Sequence, residues 1–127
     1  MEEGNYKRRV LIVGATSNNS RYAYLAAKMF SEREFDFVPI GIKKGEVFGK
    51  SILNLREKPK LENIDTITLY IGLDHQEEWI DYLLELKPNR IIFNPGAENP
   101  DFAKKARANG VEVLNACNLV MLSTGQF

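Results

Sequence analysis

Short apolar runs alternate with longer amphipathic segments along the chain. Five of these runs are rich in β-branched residues and predict strands buried on both faces, at 7–13, 35–42, 66–71, 90–93 and 111–114. The segments between them repeat apolar residues at helical spacing and predict helices, at 22–34, 74–86 and 99–109, with a closing helix in the apolar tail 116–122. The region 45–60 carries two glycines and a proline, which predicts a loop containing short pieces of structure.

Single residues mark where these helices begin and end. Ser20 and Asp74 precede apolar periodicity and are typical N-terminal caps, because their side-chain oxygens accept hydrogen bonds from the free amides of a first turn. Pro88 ends the second helix, since it cannot continue the hydrogen-bond ladder. Gly110 follows the third helix and predicts a left-handed residue that closes the last turn.

Strands that alternate with helices predict one fold class, an α/β, three-layer Rossmann-like domain with a mainly parallel sheet of about five strands. A chain of 127 residues leaves little room for a second unit, so we expect a single domain over 1–127. The hydrophobic content of 44% is enough for a core, to which we assign the aromatic residues Trp79, Phe93 and Phe102.

Composition narrows the class of partner. The 17 basic and 17 acidic residues balance and form no basic stripe, which argues against a nucleic-acid ligand. No apolar run approaches the ~20 residues that span a bilayer, and the polar N-terminus lacks the apolar segment of a signal peptide. One cysteine, Cys117, and one histidine, His75, argue against a disulfide or a metal site. We therefore expect a cytoplasmic protein.

The loop that follows the first strand is the most informative candidate site, because parallel sheets bind ligands at the carboxyl ends of their strands. Gly14 permits a tight exit from the strand, and the next helix presents free amides and the positive end of its dipole. Hydroxyl groups and a guanidinium suited to phosphate follow within seven residues, at Thr16, Ser17, Ser20 and Arg21. A standard dinucleotide fingerprint needs three glycines, and only Gly14 is present in this loop. An ordinary turn with a polar helix cap is therefore the alternative interpretation.

Other candidate groups are weaker. Two lysines, Lys43 and Lys44, follow the second strand, where basic side chains would suit a phosphate-bearing ribose. The alternative interpretation is a basic loop that is only solvated. His75 is interpreted as a surface or capping residue and Cys117 as a buried structural thiol, because no activating constellation is evident. The loop 94–99 lies at the ligand edge and is a candidate cleft lining. We assign no catalytic residue and no metal ligand.

Motifs in order along nearly the whole chain resemble the small stand-alone CoA-binding proteins. The Rossmann domain of those proteins is similar to the N-terminal domain of the succinyl-CoA synthetase α subunit. The matching residues include Val10-Leu11-Ile12-Val13, Gly14-Ala15-Thr16 with Asn18, Arg21 and Tyr24, Phe37-Val38-Pro39-Ile40 with Lys43, Val47-Phe48-Gly49-Lys50, Gly96-Ala97-Glu98-Asn99 and Asn115-Ala116-Cys117-Asn118. The chain departs from the family at Gly41-Ile42, where an Asn-Pro pair is common, at Gly72-Leu73, and at Ser20 and Tyr22.

The resemblance implies that CoA or an acyl-CoA lies across the carboxyl edge of the sheet. It implies phosphates at the first loop, the phosphorylated ribose at Lys43, adenine at the loop after Ile71 and pantetheine at the loop after Phe93. The expected ligand-binding residues are Gly14, Ala15, Thr16, Ser17, Asn18, Ser20, Arg21, Tyr24, Lys43, Ile71, Gly72, Asn94, Pro95 and Gly96.

The synthetase uses a separate phosphohistidine domain and a second subunit for its chemistry, and neither fits in 127 residues. We therefore expect a non-catalytic module for a small nucleotide ligand, with a second copy of the chain or an acyl-CoA enzyme as candidate partner. Two alternatives stay open. One is an NAD(P)-binding oxidoreductase-type domain, and the other is a ligand-free interaction module that uses the apolar tail around Leu119-Val120-Met121-Leu122.

Overall fold

The computed structural model describes residues 8–127, so Lys7, the predicted start of the first strand, lies outside the described residues. The helices are α1 Tyr22–Glu32, α2 Ile80–Glu85, α3 Pro100–Ala108 and α4 Asn118–Ser123. The strands are β1 Val10–Val13, β2 Phe37–Gly41, β3 Glu46–Val47, β4 Lys50–Ser51, β5 Leu53–Asn54, β6 Thr66–Leu69, β7 Arg90–Phe93 and β8 Glu112–Asn115. Single 3-10 turns cover Leu55–Glu57, Leu73–His75 and Glu77–Trp79.

The main sheet has the order β5-β2-β1-β6-β7-β8, and every neighbouring pair is parallel. This confirms the Rossmann-like α/β class. The sheet has six strands where about five were expected, because β5, from the region predicted as a loop, pairs with the end of β2 through Ile40 and Gly41. The chain moves outward in one direction from β1 and then in the other, so the strand order reverses between β1 and β6. A crevice therefore opens at the carboxyl ends of these two strands.

Alternate residues of the sheet feed two separate cores. Leu11 and Val13 of β1 belong to a core that includes Leu83 of α2 and Phe102 of α3. Val10 and Ile12 point the other way, into a core with α1 and α4. The helices thus form one layer on each face of the sheet. Trp79, Phe93 and Phe102 are buried, which confirms their assignment to the core.

Two helix starts differ from the predicted ones. The residue before α1 is Arg21, which makes no side-chain cap, while the Ser20 hydroxyl donates to Asn18 Oδ1 over 2.8 Å instead. The second helix begins only at Ile80, so Asp74 lies in a 3-10 turn and caps no helix. The side chain of Gln76 explains this delay, because it turns inward to hydrogen-bond other loops and holds the segment 73–79 against them.

The helix ends and the tail follow the predicted pattern more closely. Gly110 follows Asn109, the C-cap of α3, and takes a positive φ of 79°, as the helix stop requires. Asn99 caps the start of α3, where its Oδ1 accepts from the amide of Phe102 over 3.1 Å. The apolar tail forms α4, and its Met121 and Leu122 are buried. Much of the tail's apolar surface is therefore packed in the core.

Candidate functional site

A cleft of about 1090 Å³ lies at the carboxyl ends of β1, β2, β6 and β7, at the large end of the sizes typical of small-molecule sites. It occupies the crevice that the sheet order creates. Most of the residues predicted to bind a ligand line it, namely Gly14, Ala15, Thr16, Asn18, Ser20, Arg21, Lys43, Ile71, Gly72, Pro95 and Gly96. The fold thus brings four loops, distant in sequence, to one concave surface.

Three of the predicted residues lie outside this lining because their side chains have structural partners. Ser17 faces the loop at Gly45, where an added Cβ would lie 3.0 Å from the serine Oγ. The ring of Tyr24 packs against Phe48 with centroids 5.1 Å apart. Asn94 is buried, donates to the Thr68 hydroxyl over 2.8 Å and accepts from the amide of Asn118 over 2.8 Å. The side chains of these three residues therefore lie behind the surface of the cleft.

The first loop leans on the end of β2. The amides of Gly14 and Ala15 both donate to the carbonyl of Ile40, over 2.9 and 3.0 Å, so neither points freely into the cleft. The approach is close enough that a Cβ on Gly41 would lie 2.8 Å from the Ala15 carbonyl oxygen. Glycine at position 41 is therefore required by the contact between the two loops.

The start of α1 presents unpartnered donors to the cleft. Asn18 orders the approach, because its amide donates to Thr16 Oγ1 over 3.1 Å and its side-chain oxygen accepts from the Ser20 amide over 3.0 Å. Tyr22 and Ala23 then begin the helix and line the cleft, and no side chain caps their amides. Free amides and the positive end of an 11-residue helix dipole favour a bound anion.

Arg56 adds a second cation beside Lys43. It lines the cleft from the 3-10 turn after β5, in which Asn54 Oδ1 accepts from the Arg56 amide over 3.0 Å and Leu55 is fully buried. The guanidinium lies 3.5 Å from the carbonyl of Ile42, next to the turn that carries Lys43. Sequence reasoning missed this residue, because a two-residue strand followed by one turn leaves no periodic signal.

The opposite wall is acidic. Asp74, Glu77 and Glu78 line it, together with the exposed His75. Gln76 lies buried among them and anchors the segment, because its Nε2 donates to the carbonyls of Ile71 and Ala97 over 2.8 and 2.7 Å. This one side chain ties the loop after β6 to the loop after β7.

The floor of the cleft contains the side chain of Tyr70, whose hydroxyl is buried. Burial raises the pKa of this phenol well above its ordinary value, and it outweighs a smaller lowering by the Thr68 hydroxyl; Cys117 raises the pKa by a still smaller amount. The phenol therefore stays neutral at physiological pH. Cys117 itself is half-buried before α4 and is not among the residues that line the cleft.

Two features are absent from residues 8–127. Within that range no group of three or more His, Cys, Asp or Glu side chains is arranged to hold a metal ion. None of the helices there is long and apolar enough to cross a membrane.

Comparisons with known proteins agree with this architecture. The sequence model of the CoA binding domain matches residues 8–123. An uncharacterized protein of known crystal structure is 48% identical, with a TM-score of 0.92 over 97% of this chain and 100% of that protein. No curated protein matches the sequence.

Two more distant structures show the same fold. A hypothetical protein from Pyrococcus horikoshii OT3 is 21% identical, with a TM-score of 0.80 over 95% of this chain and 84% of its own. The protein cell-free ID.343 from Thermus thermophilus is 18% identical, with a TM-score of 0.79 over 95% of this chain and 91% of its own. The family match spans nearly all of the described residues, including every loop of the cleft. This chain therefore belongs to the CoA-binding domain family.

Proposed function

We propose that this chain binds CoA or an acyl-CoA in the cleft and acts as a binding module without chemistry of its own. The observation that carries the proposal is the convergence of anion-binding groups on one cavity. The uncapped start of α1, the guanidinium of Arg21 and the two cations Lys43 and Arg56 all line it. A nucleotide with phosphates at both its centre and its ribose matches this set.

The diphosphate is assigned to the first loop. The amides of Tyr22 and Ala23 and the hydroxyl of Thr16 offer donors there, and Arg21 adds a planar fork that suits phosphate oxygens. Because the amides of Gly14 and Ala15 already donate to Ile40, the helix start has the larger share of this contact.

The phosphorylated ribose is assigned to the space between Lys43 and Arg56. Both side chains are exposed and line the cleft, and the Arg56 guanidinium lies 3.5 Å from the carbonyl of Ile42, the residue before Lys43. Adenine then falls near Ile71 and Gly72, and pantetheine near Pro95 and Gly96, in keeping with the family resemblance. A second copy of the chain or an acyl-CoA enzyme stays the proposed partner.

A non-catalytic role is supported by how the reactive groups near the cleft are used. The hydroxyl of Tyr70 is buried and neutral, the amide groups of Asn94 and Gln76 are engaged, and Cys117 does not line the cleft. What the described cleft offers a ligand is charge, hydrogen-bond donors and shape.

Calorimetric titration with CoA and with dephospho-CoA, which lacks the ribose phosphate, tests the proposal. We expect CoA to bind more tightly than dephospho-CoA, and Arg56→Ala to reduce this preference about tenfold or more, because a charge-assisted hydrogen bond contributes about 1.5 kcal/mol or more. Lys105→Ala is the matched control, since Lys105 is paired with Asp81 away from the cleft.

The absence of any heat at millimolar CoA would overturn the function. A preference for CoA that survives Arg56→Ala unchanged would instead remove only the assignment of the ribose phosphate. Tighter binding of NADPH than of CoA would favour a dinucleotide as the natural ligand.

A further inference from the structure

Charge in the cleft is divided by side. The basic lining residues Arg21, Lys43 and Arg56 come from the loops after β1, β2 and β5, which form one half of the sheet. The acidic lining residues Asp74, Glu77 and Glu78 all follow β6, on the other side of the point where the strand order reverses. A ligand that crosses the crevice therefore passes from a basic half to an acidic half.

The acidic half is held against the loop after β7. Gln76 lies within the acidic segment and donates to the carbonyl of Ala97 over 2.7 Å, while its Oε1 accepts from Asn99 Nδ2 over 2.9 Å. The side chains on either side of Gln76 are exposed, so the carboxylates stand at the water-facing rim beside Pro95 and Gly96.

We propose, on the basis of the proposed function, that the cleft selects CoA thioesters whose acyl group carries no carboxylate. With the phosphates on the basic half and pantetheine at the loop after β7, the thioester end of the ligand lies beside the acidic segment that Gln76 ties to that loop. A carboxylate on the acyl group would meet three like charges there, whereas a neutral acyl group would not. The substrate class is thus the neutral acyl-CoA, in preference to the dicarboxylic one.

The size of the effect follows from exposure. Each of the three carboxylates is exposed, so water and salt screen its repulsion of another charge. Screened interactions between exposed charges are weak, so a discrimination of about three- to tenfold is expected. It should be largest at low ionic strength.

Two CoA thioesters of equal chain length provide the test. Butyryl-CoA and succinyl-CoA both carry four carbons, and they differ by one terminal carboxylate. Titration at low salt keeps the repulsion by the carboxylates of the wall at its largest. We expect succinyl-CoA to bind about three- to tenfold more weakly than butyryl-CoA.

The double variant Glu77→Gln, Glu78→Gln separates charge from chain polarity. It should narrow the gap between the two thioesters, because it removes two of the repelling charges and keeps the size of the side chains. Glu85→Gln is the matched control, since Glu85 is exposed on α2 and does not line the cleft.

Equal affinity for the two thioesters, or a gap that the double variant leaves unchanged, would overturn the proposed selectivity while CoA binding stands. A gap that narrows equally in Glu85→Gln would also overturn it, because net charge rather than the wall would then be responsible. Failure of CoA itself to bind would overturn the proposed function, and the selectivity with it.

Discussion

Two arginines at opposite edges of the same sheet show how position decides the use of one side chain. Arg90 begins β7 and is only 4% exposed, with its Nε donating to the Thr66 hydroxyl over 2.8 Å and its Nη2 to the carbonyl of Phe127 over 2.6 Å. Arg21 lies at the carboxyl edge, is exposed and lines the cleft. The guanidinium of Arg90 is thus used in contacts within the fold, whereas the guanidinium of Arg21 is open to solvent.

The surroundings of the two edges extend this contrast. The ring of Phe127 lies 4.4 Å from the Arg90 guanidinium and also packs edge-on against Phe30 and Phe35. The Thr66 hydroxyl that accepts from Arg90 donates in turn to Asp65 over 2.6 Å. Polar groups at the amino edge thus form a closed network, whereas those at the carboxyl edge end in unpartnered donors. A closed network contributes to stability, and open donors are suited to a ligand.

Replacing each arginine by leucine should give the largest difference between a structural role and a ligand-binding role. Arg90→Leu should lower the free energy of unfolding by about 2–4 kcal/mol, because it leaves buried hydrogen-bond partners unsatisfied. Arg21→Leu should leave the unfolding free energy within about 0.5 kcal/mol and weaken CoA binding about tenfold. Urea denaturation and calorimetry measure the two quantities, and Arg107→Leu on the exposed face of α3 is the control. The contrast fails if both variants lose stability equally.

A substitution at Gly41 tests whether the open edge is itself held rigidly. Gly41→Ala should cost about 1–3 kcal/mol of unfolding free energy, because the added Cβ would lie 2.8 Å from the Ala15 carbonyl oxygen. Gly72→Ala is the control and should leave the free energy of unfolding nearly unchanged, since no atom lies within 4 Å of its added Cβ and its φ is −62°. Denaturation curves that coincide for the two variants would show that the first loop yields to the intrusion.

The smallest effect expected is the pH dependence of the amino edge. Burial raises the pKa of Asp65, but hydrogen bonds from Thr66 and Asn89 and the charges of Arg8 and Arg90 outweigh it, so the net pKa is lowered. A carboxyl with a folded-state pKa below its unfolded value of about 4 stabilises the fold above that pH. This contribution is lost as the pH falls through the folded-state pKa.

Asp65→Asn should therefore be less stable than the parent protein at pH 7, and the difference should shrink as the pH drops below about 4. Thermal unfolding of both proteins from pH 7 to pH 3 measures this convergence. Glu46→Gln, at an exposed position on β3, should run parallel to the parent. A difference that stays constant with pH would mean that charge on Asp65 is not responsible.

The sequence predicted the parts of the site that depend on local pattern. Apolar runs located the strands, and Gly14 and Arg21 identified the first loop as the phosphate candidate, because a Rossmann sheet collects its ligand loops at one edge. Arg56 and Gln76 escaped notice for a physical reason. Arg56 reaches the cleft through a two-residue strand, and Gln76 is buried only because loops distant in sequence meet around it.

The same limit applies to Ser17, Tyr24 and Asn94. Their place in the motifs suggested ligand contact, yet each side chain is directed to a partner that no local pattern specifies, namely Gly45, Phe48 and the pair of Thr68 and Asn118. Side-chain direction depends on tertiary neighbours, so it is the least predictable property of a loop residue. Whether any of these three residues touches a ligand stays a prediction.

The anchoring of Gln76 has a consequence for the thermodynamics of recognition. Its carboxamide uses both donor hydrogens and its acceptor within the protein, so an incoming ligand has no need to order this wall. Fixing a mobile loop typically costs about 0.5–1.5 kcal/mol for each side chain immobilised, and a wall already fixed avoids that entropic cost. The acidic wall of the cleft is therefore pre-organised. The conformational entropy lost on association comes mainly from the flexible ligand and from the exposed cations that contact it.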